Sequence, residues 1–422
     1  MLVIRPFRGI IYNREKIPDM KKVVAPPYDV ISPEQQDFYY GLHPYNIIRI
    51  ILGKDKPRDN PEDNRYTRAA HYLRRWLSEG ILKKEKIPAI YVYEQDYQLP
   101  EEGERVKRKG FIALMKLEQL HAGVIFPHER IFEAPQVDRL NLMLTSRANL
   151  SAIFSLFEDS SLQVDKILDE SEGLFQFEDR TGIKHSLSAL REDEKINQII
   201  EIMKDKKIFI ADGHHRYLTA LKLREKLRQE KFFPSGADYV MMYFLNTESK
   251  TVTILPVHRL LRGLSRDQME TLFDGMGKFF HRKPFLFSNG ENPGEILKEI
   301  NKSKVMVFGL YHHSRGYFLL TPKDTSCFSR KVNSEVLDEL VKKILGWEKL
   351  KKGENIDFTP SVREAVEKVK KGEFQLAFFL APVSVDEVKR TALRSEIMPP
   401  KSTYFYPKLL SGLVMRDIDD AI

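Results

Sequence analysis

The chain has 422 residues, of which 42% are hydrophobic and 30% are charged, and its formal net charge is +8. This length and composition exclude a disordered or fibrous chain and predict a globular protein with one large core or two smaller ones; we expect two lobes. No apolar run approaches the roughly 20 residues that span a bilayer, and residues 1–6 are too short and too soon charged for a secretory signal, which predicts a cytoplasmic protein without membrane contact.

The surplus of basic residues fits nucleic acid, a phosphorylated small substrate or an ordinary lysine-rich surface. The basic residues are scattered and lack the interleaved aromatic residues on which bases stack, which disfavours nucleic acid. The single cysteine, Cys327, has no partner for an internal disulfide, which fits a reducing compartment, and its neighbours do not resemble the setting of a nucleophile.

Strands and helices alternate along the first part of the chain. Residues 4–11 read as a strand, and residues 24–33 as a loop punctuated by prolines. The spacing of apolar residues over 66–77 predicts a helix, and strands follow at 89–93 and 110–115. This mixture predicts an α+β fold with a mixed sheet.

Residues 207–228 are the most informative segment. A short apolar run at 208–211 ends at the sequence DGHHR and continues with helical spacing, which predicts a strand, a tight turn at Gly213 and a helix capped by Asp212. Free amides at the start of a helix bind anions, and the imidazoles and guanidinium of DGHHR add donors and positive charge, so we predict a phosphate site. The alternative is an ordinary cap followed by polar residues. A zinc site is disfavoured because adjacent helical residues splay by about 100°.

The pattern changes beyond about residue 264. A hairpin is predicted within 305–320, a helix over 336–344 and a buried strand over 374–380. No linker or repeat separates the two parts. We therefore expect a first lobe of residues 1–264 and a second α+β lobe of residues 265–422 whose last loop returns to the site.

Two carboxylates outside the loop are candidate proton acceptors. Asp29 follows a Pro-Pro-Tyr sequence that holds it extended, where it suits a base or a Mg²⁺ ligand; the alternative is a turn aspartate bonded to its own backbone. A helix through Glu129 and Glu133 places two carboxylates on one face beside His128. Ordinary helix-start chemistry explains that pattern equally well.

Three further segments offer polar groups for a substrate. Asn46 and Arg49 flank an apolar pair, and we expect them to lie on a strand from which they reach a cleft; the alternative is that they lie on an exposed edge. His258 and Arg259 stand where a strand is expected to pass into a loop, a frequent place for phosphate-contacting groups. Residues 398–408 are bracketed by prolines and rich in Lys, Ser, Thr and Tyr, which suits either binding of a carboxylate or phosphate or a rim loop that packs its aromatic residues on the second lobe.

Several short sequences resemble known families. ADGHHR at residues 211–216 resembles the phosphate-binding loop of the ParB/sulfiredoxin-like superfamily and, in its DGHHR form, the archaeal kinases that phosphorylate free serine. Nearly the whole chain resembles a large prokaryotic family long catalogued as a domain of unknown function. The sequences that carry this second resemblance are APPYD at 25–29, PHE at 127–129, DRL at 138–140, ANL at 148–150, DGHHR at 212–216 and MPPKSTYFYPK at 398–408.

The resemblance implies a ParB/sulfiredoxin-like core and a kinase that moves a phosphoryl group from pyrophosphate, ATP or ADP to the hydroxyl of free L-serine, giving O-phosphoserine, with Mg²⁺ held at Asp212. Asp29 or Glu129 would be the base. The expected site residues are, as catalytic groups, Asp29, Glu129, Asp212 and His215; as phosphate-binding groups, Gly213, His214, His215 and Arg216; and as substrate-binding groups, Asn46, Arg49, His128, His258, Arg259, Lys401, Ser402 and Thr403.

Two other function classes share the loop. A ParB-like nucleotide-binding protein that acts as a DNA-associated switch is disfavoured because the chain after residue 227 passes into strands and not into a helix-turn-helix. A non-enzymatic scaffold predicts that Asp212→Ala and Arg216→Ala leave all ligand binding and activity unchanged.

Overall fold

A computed structural model describes residues 1–100, 103–120, 122–129, 133–230, 233–288, 290–324 and 331–421, with backbone alone at 133–135. Cys327 lies outside these ranges. The chain divides into a first unit of residues 1–252 and 407–422 and a second unit of residues 253–406. None of the described helices combines the length and apolar character needed to cross a bilayer.

The strands, in chain order, are β1 (Ile4–Arg5), β2 (Ile10–Tyr12), β3 (Leu82–Lys84), β4 (Ile90–Gln98), β5 (Arg105–Lys116), β6 (Ile125–Phe126), β7 (Ala148–Asn149), β8 (Ile153–Phe157), β9 (Glu172–Glu178), β10 (Lys184–Leu190), β11 (Ile208–Asp212), β12 (Tyr239–Asn246), β13 (Thr253–Leu255), β14 (His258–Leu261), β15 (Phe280–Pro284), β16 (Phe308–His312), β17 (Gly316–Pro322), β18 (Ile356–Thr359), β19 (Leu376–Phe379), β20 (Tyr404–Tyr406) and β21 (Arg416–Asp417).

The α-helices are α1 (Pro33–Leu42), α2 (Ile48–Ile51), α3 (Arg65–Ser78), α4 (Glu133–Ser146), α5 (Gln163–Leu168), α6 (Asp193–Met203), α7 (His214–Leu227), α8 (Arg266–Phe279), α9 (Gly294–Lys302), α10 (Asn333–Leu345), α11 (Val362–Lys370) and α12 (Val385–Leu393). Short 3₁₀ turns occur at Met20–Lys22, Tyr28–Val30, Ser235–Asp238 and Thr247–Ser249. Helices and strands alternate in both units, and the predicted α+β class with a mixed sheet is confirmed.

The first unit is built on a sheet with the strand order β6-β11-β8-β12-β5-β4-β10-β9, in which β1 also pairs with β5. Strand β11 runs parallel to β6, and β12 runs parallel to β8, whereas the other pairs are antiparallel. Strand β8 is buried along its whole length, as expected of a central strand with both faces covered. The carboxyl end of β11 leads straight into α7, which positions the DGHHR turn at the end of the sheet.

The tail of the chain is part of the first unit. Strand β21 pairs with β7, and the bridges Ala25 to Ser411 and Ile10 to Met415 tie the tail to the N-terminal segments. Arg416 is buried and donates to the carbonyl oxygen of Tyr239 at 2.8 Å, and burial lowers its pKa to about 10. Residues 407–421 therefore fold with a sheet whose strands precede them by more than 150 residues.

The second unit has its own antiparallel sheet, with the order β15-β17-β16-β19-β14-β18, and a small pair of β13 with β20. One apolar cluster includes residues of α8 and α10, and another includes residues of α9 and α11. Strand β14 is hydrogen-bonded on both edges, to β18 and β19. Residues 258–261 consequently belong to this unit, although the sequence analysis places them in the first lobe.

Candidate functional site

The DGHHR sequence forms a tight junction between β11 and α7. Gly213 is the N-cap residue of α7 and has a φ of +97°, a conformation that favours glycine. The predicted strand, turn and helix are confirmed. The predicted capping role of Asp212 is wrong, because Asp212 is still paired with Phe154 in the sheet and its carboxylate faces two cations.

Asp212 is the centre of a charged cluster. Its Oδ1 lies 3.1 Å from Nζ of Lys408, and its Oδ2 lies 3.0 Å from Nη2 of Arg216. Burial raises the pKa of Asp212, but the nearby Lys408 and Arg216 outweigh burial and hold it well below its ordinary value. These three groups carry two positive charges and one negative charge, so the cluster has a net charge of +1. The dielectric constant around the cluster is lower than that of water, which strengthens electrostatic attraction.

Arg216 closes over the turn. A Cβ atom added to Gly213 would lie 2.8 Å from Nε of Arg216, so the guanidinium packs against the glycine backbone. Arg216 also donates to the carbonyl oxygen of Ala152 and lies 3.4 Å from Oγ of Ser151. An anion that approaches the start of α7 would therefore meet this guanidinium as well as the backbone amides.

His128 and His214 lie edge to face, with ring centroids 4.7 Å apart. The amide of His128 donates to Nε2 of His214 at 3.3 Å, and Nδ1 of His128 lies 2.8 Å from the carbonyl oxygen of Ile210. Burial lowers the pKa of His128 to about 4 and, with the charge of His128, lowers the pKa of His214 well below its ordinary value. Both rings are neutral at pH 7, so His214 does not supply the positive charge that the sequence analysis assigned to it. His215 lies half-buried in the first turn of α7.

A cavity of about 40 Å³ borders Arg216 on another side. It is lined by residues of four sequences quoted above, namely Tyr28 of APPYD, Arg139 of DRL, Asn149 of ANL and Arg216 of DGHHR. This volume admits small groups of the size of water and is far below the several hundred Å³ of a typical nucleotide pocket. The fold thus brings together segments that lie far apart in the sequence.

Tyr28 connects this cavity with Asp29. The guanidinium carbon of Arg139 lies 3.9 Å from the centre of the Tyr28 ring. Burial and the charge of Asp29 raise the pKa of Tyr28 to about 12, against the opposing influence of Arg139 and Arg216. Asp29 is exposed, and it is close enough to the Tyr28 hydroxyl to influence the pKa of that hydroxyl, as Arg216 also does.

Arg139 is itself held by Asp138. Nε of Arg139 lies 2.7 Å from Oδ2 of Asp138, and Nη1 donates to the carbonyl oxygen of Ile51 at 2.7 Å. The other carboxylate oxygen of Asp138 accepts from Arg65 at 2.6 Å and from the hydroxyl of Tyr66 at 2.9 Å. Burial raises the pKa of Asp138, but Arg139 and these hydrogen bonds lower it overall, so the carboxylate is charged and fixes the guanidinium over Tyr28.

Glu129 is half-buried and precedes α4, which begins at Glu133. The expectation of a helix through both glutamates is therefore wrong. Its neighbour His128 is in contact with His214, which places Glu129 close in sequence to the DGHHR turn.

Arg49 lies in the short helix α2, and Asn46 lies two residues before that helix, so the expectation that both lie in a strand is wrong. The residues around them form α2, because Ile48, Ile50 and Ile51 are buried when the segment is helical. Nδ2 of the Asn46 side chain donates to the carbonyl oxygens of Lys22 at 2.8 Å and Val24 at 3.2 Å, so this side chain shapes the segment that leads to APPYD.

Arg49 is engaged with its own neighbourhood. Its guanidinium donates to the carbonyl oxygens of Pro44 at 2.9 Å and Tyr40 at 2.7 Å, and lies 4.5 Å from the centre of the Tyr40 ring. Through these contacts Arg49 stabilises the loop between α1 and α2.

His258 and Arg259 are buried in β14 of the second unit, so the expectation that they stand at the exit of a strand is wrong. Nδ1 of His258 accepts from the amide of Leu380 at 3.3 Å, and burial lowers its pKa to about 3. Arg259 pairs with Asp338 at 3.2 Å and donates to the carbonyl oxygen of Lys401 at 3.0 Å.

Lys401, Ser402 and Thr403 also belong to the second unit. Oγ of Ser402 lies 2.7 Å from Oγ of Ser334 and donates to the carbonyl oxygen of Pro399 at 2.7 Å. Lys401 is exposed and Thr403 is half-buried. Within residues 253–406 these contacts support the segment that leads into β20.

Lys408 is a residue of the cluster that the sequence analysis missed. It is the last residue of MPPKSTYFYPK and lies 196 positions after Asp212. The sequence offers one indication of its role, which is that Lys408 ends the MPPKSTYFYPK motif directly after Pro407. At this point the chain returns to the first unit.

The described side chains do not fit a resident Mg²⁺ ion. No group of three or more His, Cys, Asp and Glu side chains in the described ranges is arranged to hold a metal. Both oxygens of Asp212, the expected ligand, face cations. Mg²⁺ binds through carboxylates together with substrate phosphates, so a magnesium ion here would arrive as part of the phosphoryl donor.

Comparison with known proteins gives three results. No curated protein matches the chain. Among solved structures, a free serine kinase in complex with AMP has 16% identity and a TM-score of 0.37 and covers 70% of this chain and 86% of its own. A conserved hypothetical protein from Pyrococcus furiosus has 15% identity and a TM-score of 0.38 and covers 74% of this chain and 97% of its own. SbnI with a C-terminal truncation from Staphylococcus aureus has 11% identity and a TM-score of 0.34 and covers 71% of this chain and 85% of its own. The family model described as protein of unknown function (DUF1015) matches residues 4–343, and the chain therefore belongs to the DUF1015 family.

Proposed function

We propose that the protein is a small-molecule kinase that transfers a phosphoryl group from pyrophosphate, ATP or ADP to the hydroxyl of free L-serine, giving O-phosphoserine. The observation that carries the phosphoryl part is the cluster of Asp212, Arg216 and Lys408 at the start of α7. The resemblance of DGHHR to the free serine kinases supplies the acceptor. The ParB/sulfiredoxin-like character of the core is part of the same proposal.

The cluster suits the anionic donor in charge and geometry. A polyphosphate oxygen beside Arg216 and Lys408 neutralises the excess positive charge, and the amides of the first turn of α7 add donors. Asp212 keeps the two cations apart and in place, because each of its oxygens is within 3.1 Å of one of them. In this role Asp212 is a positioning residue for the groups that bind the donor.

The reaction needs a proton acceptor for the serine hydroxyl. The serine oxygen forms a bond to the terminal phosphorus of the donor, the bond from that phosphorus to the leaving oxygen breaks, and the leaving group keeps the electron pair. The hydroxyl proton passes to a carboxylate, for which Asp29 and Glu129 are the candidates. Asp29 fits because it is exposed and within electrostatic reach of Tyr28 beside Arg216. We expect His215, in the first turn of α7, to donate to the transferred phosphoryl group.

The test is a direct assay of the purified protein. Incubation with L-serine, Mg²⁺ and each of pyrophosphate, ATP and ADP is expected to yield phosphoserine, detected by mass spectrometry, with at least one donor. Asp29→Asn and Glu129→Gln then identify the base, since only the true base abolishes turnover without weakening donor binding. Absence of product with every donor and with related hydroxy amino acids would contradict the proposal.

The DNA-associated switch has less support. Within the described chain, α7 is followed by the 3₁₀ turn at Ser235–Asp238 and by β12, and not by the second helix of a helix-turn-helix. Duplex binding that weakens steeply with salt, together with a failed kinase assay, would favour the switch.

A further inference from the structure

A buried pair of side chains, Gln95 of β4 and Arg108 of β5, holds the backbone on both sides of Lys408. Nη2 of Arg108 donates to the carbonyl oxygen of Pro407 at 2.6 Å, and Nε2 of Gln95 donates to the carbonyl oxygen of Lys408 at 3.1 Å. Both side chains are fully buried, so these hydrogen bonds form away from water, where a carbonyl group that lost its donor would be costly.

The pair is itself fixed by the sheet. Gln95 and Arg108 are direct partners in the antiparallel pairing of β4 with β5, and Nη2 of Arg108 also donates to Oε1 of Gln95. Because this oxygen accepts from Arg108, the amide nitrogen of Gln95 is the atom that faces Lys408 and donates to it. The two side chains therefore act as one unit with a fixed direction of hydrogen bonding.

These contacts set the direction in which the Lys408 side chain leaves the backbone. The carbonyl of Pro407 belongs to the peptide group before the Cα atom of Lys408, and the carbonyl of Lys408 belongs to the peptide group after it. Each peptide group is planar, so holding both of them restricts φ and ψ of Lys408. A lysine side chain is long and flexible and binds as a point charge, so the place of its ammonium group depends on this support.

Arg108 also contacts the strand beside Asp212. Its guanidinium carbon lies 4.8 Å from the centre of the Phe154 ring, and Phe154 of β8 is the strand partner of Asp212 of β11. Residues directly opposite each other on neighbouring strands project from the same face of a sheet. Arg108 therefore contacts both the peptide group that precedes Lys408 and the residue beside the carboxylate with which Lys408 is paired.

We propose that Arg108 and Gln95 are positioning residues, which hold the two peptide groups that flank Lys408 and thereby keep its ammonium group at Asp212. The proposal rests on the proposed function only for the ligand that this ammonium group serves. An arginine suits position 108 because a planar guanidinium donates to two acceptors in a fixed geometry, whereas a lysine ammonium lacks that fork.

The reactivity of the Lys408 amine tests this support without any ligand. Acetylation of the full-length protein by acetic anhydride, followed for each lysine by mass spectrometry, measures how readily each ammonium group leaves its partner. Gln95→Met removes the donor to the Lys408 carbonyl and should make acetylation of Lys408 about fivefold faster, the size of one lost hydrogen bond. Arg108→Lys, which loses the fork that holds two acceptors, is the second test variant and should have the same effect.

Gln136→Met is the matched control. Gln136 is also a buried glutamine, but its Oε1 accepts from Nζ of Lys222 at 2.8 Å, so this variant removes a hydrogen bond from a different lysine and should leave the rate at Lys408 unchanged. Lys84 lies 3.0 Å from Asp417 and reports whether the tail stays in place. An unchanged rate at Lys408 in both test variants would overturn the proposal. Equal acceleration at Lys84 would also overturn it, since the pair would then anchor the tail as a whole.

A double-mutant cycle with Lys408→Met gives the readout that a merely structural role would not move. With pyrophosphate, ADP and ATP as probes, Gln95→Met should weaken binding several-fold when Lys408 is present and have no effect when it is replaced, whereas Gln136→Met should be neutral in both backgrounds. Additive effects of Gln95→Met and Lys408→Met would contradict the positioning role. If the unaltered protein binds none of the probes, the kinase proposal fails, and the acetylation rate of Lys408 still decides this one.

Discussion

Nζ of Lys408 lies 3.1 Å from Oδ1 of Asp212, although 196 residues separate them in the chain. The contact joins the tail of the protein to the turn between β11 and α7. It leaves a cluster with one more positive than negative charge at the start of a 14-residue helix. A phosphoryl donor is the kind of ligand that this surplus charge attracts.

Lys408→Met is expected to weaken binding of pyrophosphate or nucleotide by about tenfold to a hundredfold, because hydrogen bonds to charged groups contribute about 1.5–3 kcal/mol. Isothermal titration calorimetry measures the effect. Lys116→Met is the matched control, since Lys116 is exposed at the end of β5. Equal affinities in the two variants would exclude Lys408 from the donor site.

Asp212→Asn leaves Arg216 and Lys408 close together without their counter-charge and should lower the free energy of unfolding of the first unit by about 3 kcal/mol at pH 7. The pKa of Asp212 is depressed in the folded protein, so its contribution is present above the ordinary carboxyl pKa of about 3.9 and is lost as the pH falls below it. The difference between Asp212→Asn and the unaltered protein should therefore shrink below about pH 4.

Urea unfolding measures this difference in a Trp347→Phe background, where the remaining tryptophan, Trp76, is fully buried in the first unit and reports on it alone. A stability difference that grows on acidification would show that the carboxylate is not held in the charged state by its two partners.

Gly213→Ala tests the packing of Arg216 on the turn. The added Cβ would lie 2.8 Å from Nε of Arg216, so the guanidinium must move and donor affinity should fall at least tenfold. Gly182→Ala is the control, because Gly182 also has a positive φ, +82°, but its Cβ would meet no described atom within 4 Å. Both variants lose about 1–2 kcal/mol from backbone strain. Similar donor affinities in the two variants would mean that Arg216 has no part in binding.

His128 should make the first unit less stable in mild acid. Its folded pKa of about 4 lies below the ordinary histidine value of about 6.5, so between these values the unfolded chain binds a proton that the folded protein does not. Stability should fall with decreasing pH over this window, by up to about 1.4 kcal/mol per pH unit from this residue. Thermal melts of His128→Asn should show a smaller pH dependence, and those of exposed His71→Gln the unaltered one.

Local patterns in the sequence predicted the backbone at the site well. The apolar run before DGHHR and the helical spacing after it are properties of neighbouring residues, and they gave β11, the turn at Gly213 and α7. The role of Asp212 was not a local property. Its carboxylate is drawn to Arg216 and to a distant lysine, so the capping position falls to Gly213.

Burial overrode the local patterns elsewhere. The isoleucine-rich segment around Asn46 and Arg49 suggested a strand, but its apolar side chains are buried as one turn of helix. His258 and Arg259 appeared to end a strand, whereas they begin β14 inside the sheet of the second unit. Polar and charged residues buried in this way make structural contacts. A pattern of residue types in the sequence cannot distinguish such residues from residues that bind a ligand.

The most direct measurement of the central claim is a crystal structure of the protein grown with saturating pyrophosphate, and in parallel with ADP or ATP. We predict a phosphate group within hydrogen-bond distance of the Arg216 guanidinium, the Lys408 ammonium and the backbone amides of His214 and His215. The account would be contradicted if the donor, at saturating concentration, bound elsewhere and no phosphate group lay at the start of α7, with Arg216 still packed on Gly213.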